Sequence, residues 1–184
     1  MLQSDHIFLF FFTMVWEVKS KYFVGLTEQK DRDLYEKKLT LKNGTLLSDP
    51  YGLQNNEWSD DVKKLPDVTY FDIVNYLIDT PSEFTKDKLK AYKSLEAYNF
   101  FVSGHVQEVY IHEIKETDFS HVKSSVLPSQ RQGQKQTLYD VWVTLHKSGW
   151  VLCANCTCMA GLVFYFSVNF FLNNKVFHPY FTPI

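Results

Sequence analysis

Tyr139-Asp140-Val141-Trp142-Val143-Thr144-Leu145-His146-Lys147-Ser148-Gly149-Trp150-Val151-Leu152-Cys153-Ala154-Asn155-Cys156-Thr157-Cys158 is the stretch that decides the fold. Its first eight residues put Tyr139, Val141, Val143 and Leu145 on one face and Asp140, Trp142, Thr144 and His146 on the other, the period of two that marks a strand. Lys147-Ser148-Gly149 turns the chain, and Trp150-Val151-Leu152 begins a returning strand that delivers Cys153, Cys156 and Cys158 at the open end of the hairpin. These are all the cysteines the chain has. Two thiols separated by one residue can grip one soft cation from the same side, and zinc is the usual occupant. A structural zinc takes four protein ligands, so Cys156 and Cys158 make half a set.

Upstream, the period changes to that of helices. Thr69 with Asp72 has the spacing of a capping box, and Tyr70, Ile73, Val74, Leu77 and Ile78 form one apolar stripe, which predicts a helix near 69–80. After Pro81, Thr85 opens a second helix near 85–103, in which Ala91, Leu95, Tyr98 and Val102 repeat until Gly104. The pair reads as a helical hairpin. Lys86, Lys90 and Lys93 share the opposite face, where Glu83, Asp87 and Glu96 dilute their charge, as on an ordinary solvated surface. Strands are expected over 106–114 and 122–127, with a polar loop between Ser129 and Gln136. Closer to the N-terminus, 27–41 reads as a short solvated helix, because Leu34, Tyr35 and Leu39 are sparse. Asn43-Gly44 and Asp49-Pro50-Tyr51-Gly52 read as turns. The fold class is therefore α+β: a helical hairpin plus a small antiparallel sheet ending in the hairpin that carries the cysteines, which the resemblance described below turns into an incomplete ββα zinc-finger hairpin.

A chain of 184 residues has room for one ordinary domain, and its hydrophobic content of 45% excludes disorder throughout. A net charge of -2 supplies no global attraction for nucleic acid, so such a contact would depend on a local patch. An odd, clustered set of cysteines does not form the disulfide framework of a secreted domain, which favours a reducing, intracellular compartment, with the nucleus as one such place. The apolar run over 7–16 lacks both a preceding basic residue and a following cleavage site of small residues, and reads as a buried strand or a terminal extension. The bulky run from Val163 to Leu172 is about half the ~20 residues a spanning helix needs. A membrane-associated protein held by that run is the alternative from another class.

Three segments in order resemble proteins with a SWIM-type zinc finger, of the transposon- or virus-derived animal class that often carries a YqaJ-type exonuclease domain. They are Leu65-Pro66-Asp67-Val68-Thr69-Tyr70-Phe71-Asp72-Ile73, Leu89-Lys90-Ala91-Tyr92-Lys93-Ser94-Leu95-Glu96-Ala97-Tyr98 and Cys156-Thr157-Cys158-Met159-Ala160-Gly161-Leu162. The likeness runs from about 35 to 162. It implies a ββα zinc unit of pattern Cys-x-Cys, spacer, Cys-x-His, in which Cys156 and Cys158 match the first pair. The second pair has no match, because Val163 begins an aromatic tail with no later cysteine. A valine codon begins with GT, as introns do, so the tail fits read-through of a retained intron. Cys153 as third ligand and His178 as fourth would be an improvised completion of the zinc site.

The division this suggests is 1–34 as an ill-defined N-terminal segment, 35–137 as an α+β region, 138–162 as a partial SWIM-type finger and 163–184 as a divergent tail. The implied function is a zinc-binding module contacting protein or nucleic acid, metal-deficient as encoded, with no small-molecule substrate. No enzyme is expected: the nuclease carboxylates of the related proteins would lie in a domain absent here, and a Cys153 nucleophile would need a base such as His146 placed beside it. A nonfunctional fragment of a transposon-derived nuclease is the remaining alternative.

Overall fold

A computed structural model describes residues 19–69, 71–72, 75–76, 103–127 and 138–157. Four strands, β1 (Tyr110–Glu113), β2 (Phe119–Val126), β3 (Tyr139–His146) and β4 (Val151–Cys156), form one antiparallel sheet in the order β1-β2-β3-β4. With helices packed on this sheet the fold is α+β. The alternating stretch becomes the central strand β3, paired to β2 along its whole length from Phe119↔His146 to Val126↔Tyr139, and to β4 on its other side. The turn falls where the sequence places it. The Gly149 N–H donates to the His146 carbonyl at 2.8 Å and the His146 N–H to the Trp150 carbonyl at 3.0 Å.

Alternation on β3 suggests one buried face, yet both are covered. Val141, Val143 and Leu145 meet Ile111, Val122, Val126, Val151, Ala154 and Cys156 in one core, closed by Leu65 and Val68. On the reverse face Trp142 packs with Cys153, Tyr35 and Leu39, and Tyr22, Phe23 and Tyr51 border them. Only a sheet sandwiched on both sides can bury Trp142 and Val143, neighbours in sequence, to 1% and 0% exposure.

The layer over the tryptophan face is helical. Ser20 opens α1 (Lys21–Gly25) by accepting the Phe23 N–H on its Oγ at 3.1 Å, which satisfies a donor the helix start leaves unbonded. The helix expected over 27–41 is α2 (Gln29–Leu39), and it is not simply solvated. Tyr35 and Leu39, one turn apart, are buried, and the Tyr35 ring meets Trp142 edge-on at 6.1 Å. Tyr22 lies 5.2 Å from Tyr35, so this core runs across the boundary expected at residue 34. Two apolar residues suffice because they enter a pocket already walled by aromatic rings.

Over the valine face, the capping box at Thr69 forms as expected. Both the Thr69 N–H and its hydroxyl donate to Asp72 Oδ2, at 2.8 and 2.6 Å, ahead of helical residues at 71–72 and 75–76. The rest of the helical hairpin lies outside the described residues, as do the aromatic tail and the polar loop over 129–136. Among the described residues no helix is long and apolar enough to cross a membrane.

Candidate metal centre

The cysteine strand carries an irregularity that decides where its thiols go. Thr144 pairs with Cys153 but Leu145 pairs with Val151, leaving Leu152 as an extra residue between them. A bulge of this kind changes the side-chain phase along a strand. As a result Cys153 lies on the tryptophan face, and Ala154 and Cys156 extend the valine core. Both thiols are buried, at 6% and 9% exposure. Cys158 and His178 lie outside the described residues.

The improvised ligand set needs Cys153 and Cys156 side by side. Sulfurs bound to one zinc sit about 2.3 Å from it and hence within roughly 4 Å of each other. Thiols entering separate cores on opposite faces of a sheet cannot meet that condition, so Cys153 does not join Cys156 around one ion. Among the described residues, no three His, Cys, Asp or Glu side chains come together in a way that could hold a metal. The described donor set therefore does not fit tetrahedral zinc. Of the expected pair, Cys156 is the described member, and it is the last residue of β4.

His146, the base named for Cys153, has other partners. It sits at the β3–β4 turn, with Nδ1 2.7 Å from Ser148 Oγ, Nε2 4.0 Å from Asp118 and its ring stacked on Trp150 at 5.1 Å. A fully buried imidazole on the Cys153 face is His121, on β2, one strand further across. Thr144 stands between them, the register partner of Cys153 on one side and of His121 on the other. His121 Nδ1 lies 2.9 Å from Thr144 Oγ1, and Nε2 lies 2.9 Å from the Ser48 carbonyl oxygen. A carbonyl only accepts, so Nε2 carries the proton and Nδ1 accepts from the threonine hydroxyl.

The electrostatics of this row oppose thiol chemistry. His121 is lowered to about 3, chiefly by burial and with a smaller push from the stacked His112 ring 6.2 Å away, against the Ser48 carbonyl, which favours the protonated ring. Burial also pushes the Cys153 thiol up to about 11, while Thr144 and Lys38 pull it back. Both shifts disfavour transfer of a proton from this thiol to this imidazole. The row Cys153, Thr144, His121, Ser48 is a satisfied polar seam through the tryptophan core. It ties β4, β3 and β2 to the loop after α2.

A second polar group on this face, Asn155, binds the helical layer. Lys38 Nζ donates to its Oδ1 at 2.8 Å, and its Nδ2 donates to the Tyr22 hydroxyl at 3.0 Å. Reading the sequence places His121 among strand histidines that are packed or exposed. Its role depends on Ser48, 73 residues away, which no local spacing encodes. No family model, no curated protein and no solved structure matches the chain.

Proposed function

We propose that the chain is a SWIM-type module for protein or nucleic-acid contact, whose zinc site is deficient as encoded because one ligand pair is missing. The observation that supports this reading is the hairpin itself. Strands β3 and β4 form an antiparallel pair ending at Cys156, where the resemblance puts the first thiolate of a finger. Two bonds pin that end. The Thr157 N–H donates to the Asp140 carbonyl and the Asp140 N–H to Thr157 Oγ1, both at 3.0 Å. A fixed hairpin end is what pre-positions a first ligand pair, and metal affinity depends on such positioning. The module is a binding element, not an enzyme, and its compartment is intracellular, the nucleus included.

Cobalt titration of the purified full chain tests this, because thiolate-to-cobalt charge transfer counts bound sulfurs. The expected outcome is sub-stoichiometric, low-affinity metal with at most two thiolates, lost in the Cys156→Ser/Cys158→Ser double variant and unchanged in Cys153→Ser. Tight stoichiometric metal that survives the double variant would sink the proposal. Partition of the chain into detergent phase would favour the membrane-associated reading in its place.

A further inference from the structure

Asn43-Gly44 is the chain's one asparagine–glycine pair, and it stands at the tip of a small hairpin after α2. Thr40 and Leu46 form an antiparallel bridge below the tip. Between them the Leu41 N–H donates to the Thr45 carbonyl at 2.8 Å, and the Gly44 N–H to the Leu41 carbonyl at 2.9 Å. Gly44, at φ 87°, supplies the left-handed residue that a three-residue hairpin loop needs. Lys42, Asn43, Gly44 and Thr45 are all exposed, and nothing lies within 4 Å of where a Cβ on Gly44 would stand. Solvent therefore reaches the Asn43 carboxamide freely.

The local bonding favours attack on that carboxamide. Asn43 Oδ1 accepts the Thr45 N–H at 3.1 Å, which folds the side chain back over Gly44 and draws electrons from Cγ. The same N–H steadies the oxyanion that forms when a nucleophile adds to Cγ. The nucleophile at hand is the Gly44 nitrogen, whose residue has no side chain to crowd its approach. A further bond opposes reaction, because the Gly44 N–H must leave the Leu41 carbonyl before its nitrogen can react. That bond lies at an exposed loop tip, so it opens locally without unfolding the core.

We propose that Asn43 is a site of spontaneous deamidation in the folded chain, through a succinimide closed by the Gly44 nitrogen. Solvent hydroxide takes the Gly44 amide proton, the nitrogen bonds to Cγ, and the Cγ–Nδ2 bond breaks, Nδ2 leaving as ammonia after gaining a proton from water. Water then opens the ring at either carbonyl, to aspartate or to isoaspartate. The net change converts an amide and a water into an acid and ammonia. Isoaspartate lengthens the backbone of the turn by one carbon. Leu47, 2% exposed, follows this turn, and its N–H donates at 2.9 Å to the carbonyl of Leu39, 3% exposed, so the longer tip pulls at the register that seats both leucines. Asn155 is the contrast within the chain: buried in β4, with its carboxamide held by Lys38 and Tyr22, it is kept from reaction. The site is independent of the cysteine pair, so it stands or falls apart from the zinc reading.

Peptide mapping by mass spectrometry tests it on the purified full chain, incubated at pH 6 and pH 8 in buffer and in guanidinium chloride. Labelling with an isoaspartyl methyltransferase identifies the product. In buffer, conversion is expected at Asn43 and not at Asn155, faster at pH 8 because more of the nitrogen is deprotonated, with isoaspartate among the products. It should run no more than about tenfold slower in buffer than in denaturant, since tenfold is about 1.4 kcal/mol, the scale of the one hydrogen bond to be opened. Gly44→Ala should slow conversion severalfold in denaturant, where its effect on folding plays no part. An unaltered Asn43, conversion in buffer more than about tenfold slower than in denaturant, equal conversion at Asn155 in the folded chain, an acid product free of isoaspartate, or an unchanged rate in Gly44→Ala each overturns the proposal.

Discussion

Cys153 and Cys156, three residues apart in one strand, are buried in two different cores on opposite faces of the sheet. Each thiol therefore answers to its own surroundings. Cys153 lies beside the Thr144 hydroxyl, and Cys156 packs among Val141, Ala154 and other apolar groups.

Replacing each thiol by a hydroxyl separates these environments. Cys156→Ser exchanges a thiol packed against Val141 and Ala154 for a more strongly hydrated hydroxyl and is expected to cost about 1–3 kcal/mol. Cys153→Ser keeps a partner in Thr144 and should cost less. Urea unfolding of the two variants side by side checks the order, and equal losses would contradict it.

The buried imidazole makes stability depend on pH. His121 is lowered from 6.5 to about 3 in the fold, so it stays neutral when folded and binds a proton when unfolded. Its contribution is complete above pH 6.5, declines as pH falls below that value and is gone below about 3. At pH 4 the loss relative to pH 7 is on the order of 3 kcal/mol. His121→Gln removes the titrating group and should flatten that part of the profile, leaving the carboxylates common to both proteins. Denaturant midpoints for the two proteins from pH 7 to pH 4 test this.

Two glycines with left-handed backbones should respond unequally to alanine. Gly149, at φ 97°, has the Asp67 carbonyl oxygen 2.1 Å from where a Cβ would stand, whereas Gly44, at φ 87°, has nothing within 4 Å. Gly44→Ala carries only the backbone penalty of about 1–2 kcal/mol. Gly149→Ala must also push the β3–β4 turn away from the segment that closes the valine core, and a loss of about 3 kcal/mol or more is expected. Equilibrium unfolding of both variants provides the comparison.

Tyr35 anchors α2 through more than its ring. Its hydroxyl donates to Asp49 Oδ1 at 2.7 Å, and the same oxygen accepts the Tyr51 N–H at 3.0 Å. Tyr35→Phe keeps the packing on Trp142 and deletes a bond to a charged acceptor, which should cost about 1.5–3 kcal/mol. Asp49→Asn, measured by the same unfolding assay, should show a smaller loss because an amide oxygen still accepts.

The turn at Lys147-Ser148-Gly149, the strand before it and the capping pair Thr69 and Asp72 were legible in the sequence, because each depends on residues within a few positions of one another. The α+β class follows from the same local periods. Sequence spacing also located α2, but it did not reveal that Tyr35 and Leu39 dock on Trp142, since two apolar residues mark no face until a partner surface is known.

The sequence by itself determined where the strands and turns lie and that the three sulfurs come close together along the chain. Tertiary structure alone decided that Leu152 bulges out of the ladder, which gives Cys153 to the tryptophan face and Cys156 to the valine face, and that Ser48 meets His121, 73 positions further along the chain. The physical reason is register. Strand side chains alternate sides with every residue, so one extra residue in the pairing reverses a side chain's destination, and pairing is fixed only when distant strands and both covering layers assemble together.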